Sequence, residues 1–261
     1  MIRPENIIRH FRGAAKNGTR TGLIKGLPAI LLMLTSAATE AACFEEYEAL
    51  LTERYVGYAP TEHETVCKRW PATGLLIFAT AIKTDVIADL DLVIIDPSTQ
   101  SIVGTTREKE TLDAGAINSY GITIDTANYR LDKNNVAFGI RTLWEGSSQP
   151  NPYGSTSLSL YSLGDNGLNN VLKGLTVQER FGEWDTHCAG SFQERHMTLA
   201  MQQSRENYAD IVVRETVRNT RSFEAEANCE TTTLGQKTNS YTLEYKQGYA
   251  VPENLKSLGY K

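Results

Sequence analysis

No stretch of this chain supplies the roughly 20 consecutive apolar residues that a membrane-spanning helix needs. The motifs that mark common active sites are missing too. There is no Gly-x-Ser-x-Gly elbow, no glycine-rich loop ending in Lys-Ser/Thr, and no Gly-x-Gly-x-x-Gly opening a helix. Those absences remove the signatures of α/β-hydrolases, P-loop nucleotidases and dinucleotide-binding folds. Cysteine is scarce, four in 261 residues, and no two stand at the Cys-x-x-Cys spacing of a zinc or thioredoxin-type site. His63-Glu64 lacks the second histidine of a zincin. No Pro-rich or Ser-rich linker divides the chain. Nothing calls for a cofactor or a resident metal.

What is present begins with an asymmetric start. Arg3, Arg9, Arg12, Lys16, Arg20 and Lys25 face a single early acid, Glu5, and an apolar run follows from Leu27 to Ala38. A basic segment leading into a short apolar one is the pattern of a secretory leader. Ser36-Ala37-Ala38 and Thr39-Glu40-Ala41 both offer small residues at cleavage spacing, so residues 1–41 are expected to be a cleaved signal peptide. The leader has no Arg-Arg pair, and Glu40 stands where a lipoprotein signal carries an apolar or small residue before the cysteine.

All four cysteines follow the leader, which places them in an oxidising compartment, periplasmic or secreted. Cys43 is expected to pair with Cys67 and Cys188 with Cys229, each pair closing one local segment. Without residues 1–41, 20 basic and 29 acidic residues remain, a charge of −9. Such a surface disfavours nucleic acid and steers a basic partner.

The periodicity predicts one short helix and then strands. Phe44, Tyr47, Leu50, Leu51 and Tyr55 recur at helical spacing over 44–58. Gly74–Ile82 is nearly continuous in apolar residues, as in a strand buried on both faces. Leu90, Leu92 and Ile94 alternate before the turn chemistry of Asp96–Gln100. Val136–Trp144 reads as a strand, and Asn166-Gly167 marks a hairpin. Further strands fit Val171–Val177, Phe192–Met201, Tyr208–Val217, Glu230–Leu234 and Ser240–Tyr245. The expected fold is mostly β, antiparallel sheets in a sandwich or barrel-like arrangement with one short N-terminal helix; a small β-propeller is the alternative. Residues 42–247 form one domain, and 248–261, lacking any period, a C-terminal tail.

Three places carry candidate chemistry. Glu183, Asp185 and His187, with Glu194 and His196 nearby, are the densest set of potential acid–base groups. Asp85, Asp89, Asp91 and Asp96 form an acidic set without the calcium-loop pattern; Asp89 and Asp91 read as the water-facing side of a half-buried strand. The polar loop Gly146–Gly154 carries aromatics suited to recognition: Trp144 before it and Tyr153 within it, with Trp184 a further candidate.

Together these features point to an exported, non-enzymatic binding protein of inhibitor or immunity type, holding a protein partner through loops of a β scaffold. The competing expectations are an envelope-acting hydrolase using Glu183, Asp185 and His187, and a carbohydrate-binding or envelope-structural module using Trp144, Tyr153 and Trp184. Nothing in the sequence sets an oligomeric state.

Overall fold

The computed structural model describes residues 38–55, 65–83, 88–109, 112–114, 117–165, 167–204, 208–226 and 228–258. Most of the expected leader, Asp85, Asn166 and the Cys43 side chain lie outside the described residues. Among those described, no helix is long and apolar enough to cross a membrane.

The chain forms two antiparallel sheets whose strands pair strictly in sequence order. The smaller contains β1 (Thr65–Arg69), β2 (Leu76–Lys83), β3 (Ala88–Asp96) and β4 (Ser101–Glu108). The larger runs β5 (Asp113–Ala114), β6 (Ile117–Arg130), β7 (Val136–Gly146), β8 (Tyr153–Gly164), β9 (Gly167–Trp184), β10 (Gly190–Gln202), β11 (Asp210–Ala225) and β12 (Asn228–Leu243). Bulges in the β6–β7, β8–β9 and β11–β12 ladders bend and twist their strands, curling this sheet into a half-barrel. The described residues thus form the expected mostly-β fold, antiparallel sheets in a sandwich- or barrel-like arrangement with one short helix.

Helix α1 (Ala38–Arg54) begins within the last residues of the expected leader. It lays Tyr47, Leu51 and Tyr55 on Cys67, Leu76, Phe78, Ile82, Val93 and Ile95 of the small sheet. The alternate residues of the same strands, Ile77, Ala79, Leu90, Leu92 and Ile94, pack against Ile124, Phe138, Ile140 and Tyr161 of the large sheet. This two-sided burial explains the unbroken apolar runs of β2 and β3. Cys67, beneath α1, is disulfide-bonded.

Asp89 and Asp91 depart from expectation, because both are buried, at 8% and 1% exposure. Their face of β3 is the one α1 covers, so it has no water to meet. Each carboxylate instead takes a guanidinium: Arg107 Nε donates to Asp89 at 2.8 Å, and Arg54 donates twice to Asp91, both at 2.8 Å. The Tyr55 hydroxyl adds a third bond to Asp91. A buried carboxylate is tolerated when paired and hydrogen-bonded in this way, and here the pairing fixes the helix on the sheet.

The opposite face of the large sheet has its own core, with Leu158, Leu160, Leu175, Val177, Met197, Ile211 and Val213 among its members. It is closed by the segment read as a tail. After β12 the chain turns back across the sheet, burying Tyr249 and Leu255 and bonding Tyr249 N to the Val171 carbonyl at 2.7 Å. Glu230–Leu234 and Ser240–Tyr245, expected as separate strands, fall on one strand, β12, which ends at Leu243. The β-poor residues Gly235–Asn239 between them continue the ladder past a bulge at Leu234.

Candidate functional site

The densest cluster of sequence candidates lies where β9 turns into β10. Asp185 organises this turn: its Oδ1 accepts the backbone N–H groups of His187 and Cys188, both at 2.8 Å, while its own N–H reaches the Ala189 carbonyl. The Trp184 N–H donates to the Pro150 carbonyl at 2.8 Å, tying the Gly146–Tyr153 loop to the same end. The Cys188–Cys229 disulfide brings in the start of β12. Three segments distant in sequence are thereby held together.

Around them lie several depressions. One of 480 Å³ is lined by Pro150, Asn151, Glu183, Trp184, Asp185, Arg221 and Phe223, among others. A second, of 390 Å³, is lined by Glu145, Pro152, Tyr153, Gly154, Arg180, Trp184 and Phe192. Trp184 is common to both. A third, of 630 Å³, continues across the polar face of the sheet over Gln178, Arg180, Glu194, His196, Thr216, Arg218 and Gln236.

Phe192 lies in this surface on a bed of glycine. It stands opposite Gly182 in the ladder; a Cβ at Gly182 would come within 2.7 Å of its ring, and one at Gly190 within 2.9 Å. The two glycines allow the ring to lie close against the backbone, with the Arg180 guanidinium 4.7 Å from its centroid, a cation–π distance. Glu194 holds both Arg180, at 3.7 Å, and Arg218, leaving one positive charge in excess among the three.

The sequence candidates are thus dispersed in role. Glu183 and Asp185 line the 480 Å³ depression, but Asp185 is committed to its turn. The His187 side chain is exposed and lines neither loop-end depression, and His196 sits apart on β10. Trp144 is half-buried, its Nε1 donating to Ser157 Oγ at 3.0 Å. Tyr153 is the first residue of β8 rather than a loop residue. It lines the smaller depression while its hydroxyl points inward, within hydrogen-bond reach of Ser155 Oγ and Glu179 Oε1. Trp184 alone of the three aromatic candidates lies on both loop-end depressions. Among the described residues no group of three or more His, Cys, Asp or Glu side chains could hold a metal ion.

No family model, curated protein or solved structure matches the chain. The chemistry of the site therefore rests on its side chains. Aromatic and arginine groups on open, shallow surfaces suit contact with a macromolecule; a pair of proton-transfer groups facing each other across a closed cleft is the arrangement of an acid–base enzyme. Arg180, Phe192, Arg221 and Phe223 escaped the sequence reading. Only the glycines opposite and just before Phe192 hinted at a ring laid against the backbone.

Four carboxylates that close turns set the acid behaviour, among them Asp96, held low by the Ser98 hydroxyl and N–H. The His187 N–H holds Asp185 below the usual carboxylate range, with help from Ala189 and Cys188. The Asn135 side chain does the same for Asp132, with the Asn134 and Asn135 N–H groups. For Asp125 burial pushes upward, but Ala127 N–H, Tyr129 hydroxyl and Arg141 outweigh it. A depressed folded value means stability fully present above the unfolded pKa of about 4 and lost as pH falls through the folded values. The melting temperature is expected to be level from pH 7 to about 5 and to fall below about 4, more gently in Asp125→Asn relative to its own neutral value. A profile level down to pH 2.5 would refute this assignment.

Proposed function

We propose that this chain is an exported binding protein that holds a protein partner at the Trp184 end of its large sheet. The observation that carries the reading is the position of Trp184, which lines two depressions at this end of the sheet, one with Arg221 and Phe223 and the other with Arg180 and Phe192. Trp and Arg dominate the energetics of protein interfaces, and they do so where neighbouring groups exclude water around them. The disulfide and the Trp184–Pro150 bond hold these groups in place before any partner arrives, which lowers the ordering cost of association. The acidic character of the chain after the leader steers a basic partner toward it. The Cys188–Cys229 disulfide and the disulfide-bonded Cys67 belong with a periplasmic or secreted location.

The test uses the full-length chain expressed in an exporting bacterium. The processed product is expected in the periplasmic fraction with its N-terminus between Thr39 and Cys43; an uncleaved cytosolic product would refute export. A partner recovered from envelope extract by the wild-type protein is expected to bind Trp184→Ala about 30-fold more weakly, the scale of a hot-spot residue. Glu183→Gln and His187→Ala should change affinity only slightly. The envelope-hydrolase reading would replace this one if no partner is recovered and the protein turns over a cell-wall or lipid substrate at a rate that His187→Ala lowers about 100-fold or more.

A further inference from the structure

Among the described residues, strand β12 ends the large sheet, hydrogen-bonded to β11 on one side only. It is 16 residues long, about 50 Å at the usual rise, and residues 228–238 are exposed throughout. Natural edge strands are ordinarily short, charged, broken by proline or covered. This one has no proline, is rich in the β-favouring threonine, and carries two charges, Glu230 and Lys237. Both of its ends are anchored. Cys229 is bonded to Cys188, and Asn239 and Tyr241 donate to Glu215 at 2.8 and 3.2 Å. The edge is therefore a rigid template.

Among the described residues, Glu230 and Lys237 face no charge directly across the ladder. They stand opposite Phe223 and Val217 of β11. In a regular strand two residues an odd number apart project from opposite faces. Here the bulge at Leu234 inserts one residue between them, and because Phe223 and Val217 share a face of β11, Glu230 and Lys237 share a face of β12. Directly opposed residues of antiparallel strands also share a face.

The geometry points to β12 as a homodimer interface, in which two copies of this chain join edge to edge, antiparallel about a two-fold axis perpendicular to the sheet. In the register that matches the charges, Glu230 of each copy lies opposite Lys237 of the other, and Thr231 opposite Gln236. Thr233 then meets Leu234 beside the axis, where the 63% exposed Leu234 approaches its own copy. A two-fold contact is isologous, so the one favourable charge pair is made twice. Lys237 and the bulge, features that elsewhere discourage edge pairing, here select a single partner and a single register. The two half-barrel sheets become one continuous sheet of sixteen strands.

Sedimentation velocity on the processed, oxidised protein, from low micromolar to submillimolar concentration, tests this. A reversible monomer–dimer equilibrium is expected. Glu230→Lys and Lys237→Glu should each weaken it by about tenfold or more, since each places like charges opposite one another twice, and the double reversal Glu230→Lys/Lys237→Glu should restore it. Both residues are exposed, and far-UV circular dichroism will confirm that each variant keeps its fold. A wild-type protein that stays monomeric throughout overturns the proposal, including the case in which another strand already occupies the edge. So does a dimer that survives both single reversals, which would place the contact elsewhere. These outcomes are independent of binding at Trp184, which the Trp184→Ala variant reports separately.

Discussion

Arg195→Met is expected to destabilise the protein by about 3–5 kcal/mol, the range for removing one partner of a buried ion pair. Arg195 projects from β10 into the covered face of the large sheet, with none of its side chain exposed, and lies 3.0 Å from Glu179 and 3.7 Å from Glu215. The same guanidinium donates to the carbonyls of Lys256, at 2.6 Å, and Asn254, at 3.4 Å. Glu179 in turn receives the Leu258 N–H at 3.0 Å and the Ser257 hydroxyl. Methionine fills much of the volume but leaves two carboxylates without their cation in a place water does not reach. Urea unfolding measures the loss. Trypsin adds a local readout, because the released terminal segment carries Lys256. Adding Glu179→Gln and Glu215→Gln to Arg195→Met should recover most of the stability, since the uncompensated charge is then gone. A loss below about 1 kcal/mol with an uncut terminus would show that the network does not hold the terminal segment.

Removing the Cys188–Cys229 crosslink as Cys188→Ser/Cys229→Ser is expected to cost about 4 kcal/mol. The bond closes a loop of 41 residues in sequence, and the expected loss follows from the additional freedom this loop gains in the unfolded chain. For a protein of this size it corresponds to a fall of about 10 °C in melting temperature. The folded state should change locally, because the bond joins the turn after Trp184 to the first residues of β12. Partner binding at Trp184 should weaken more than the melting temperature alone accounts for at a temperature where the variant is fully folded. A shift of about 2 °C or less would mean that the β10–β11–β12 ladder constrains these segments without the crosslink.

The strands were legible wherever a local pattern recorded a local cause. The apolar run Gly74–Ile82 announced two covered faces, Asn166-Gly167 announced the β8–β9 hairpin, and Asp96–Gln100 announced the turn between β3 and β4. Alternation misled at Asp89 and Asp91, because a polar residue on one face signals water only if nothing covers that face. The covering helix and its cation, Arg54, lie some 37 positions away in sequence. β12 was read as two pieces because Gly235–Asn239 has weak strand propensity, while its continuity comes from the ladder with β11. At the candidate site, the Trp184–Asp185–His187 segment was visible as a cluster. Its partners Arg221 and Phe223, however, reach it through strand order, which no local spacing encodes. Tyr153 looked like a recognition residue in a polar loop, and only the fold shows its hydroxyl spent on Glu179.

The sequential pairing of strands bears on how the chain acquires its structure. From β6 onward every strand hydrogen-bonds to the one made just before it, so hairpins can be added one at a time as residues emerge, at low loop-closure entropy. The terminal segment breaks this order. Ser257 reaches back 78 positions to Glu179, and Lys256 reaches back 61 to Arg195. The residues that seal the sheet are therefore made well after the strands they cover. Until they arrive, the charged row of Glu179, Arg195 and Glu215 remains open to water, which makes premature closure around an incomplete chain unfavourable.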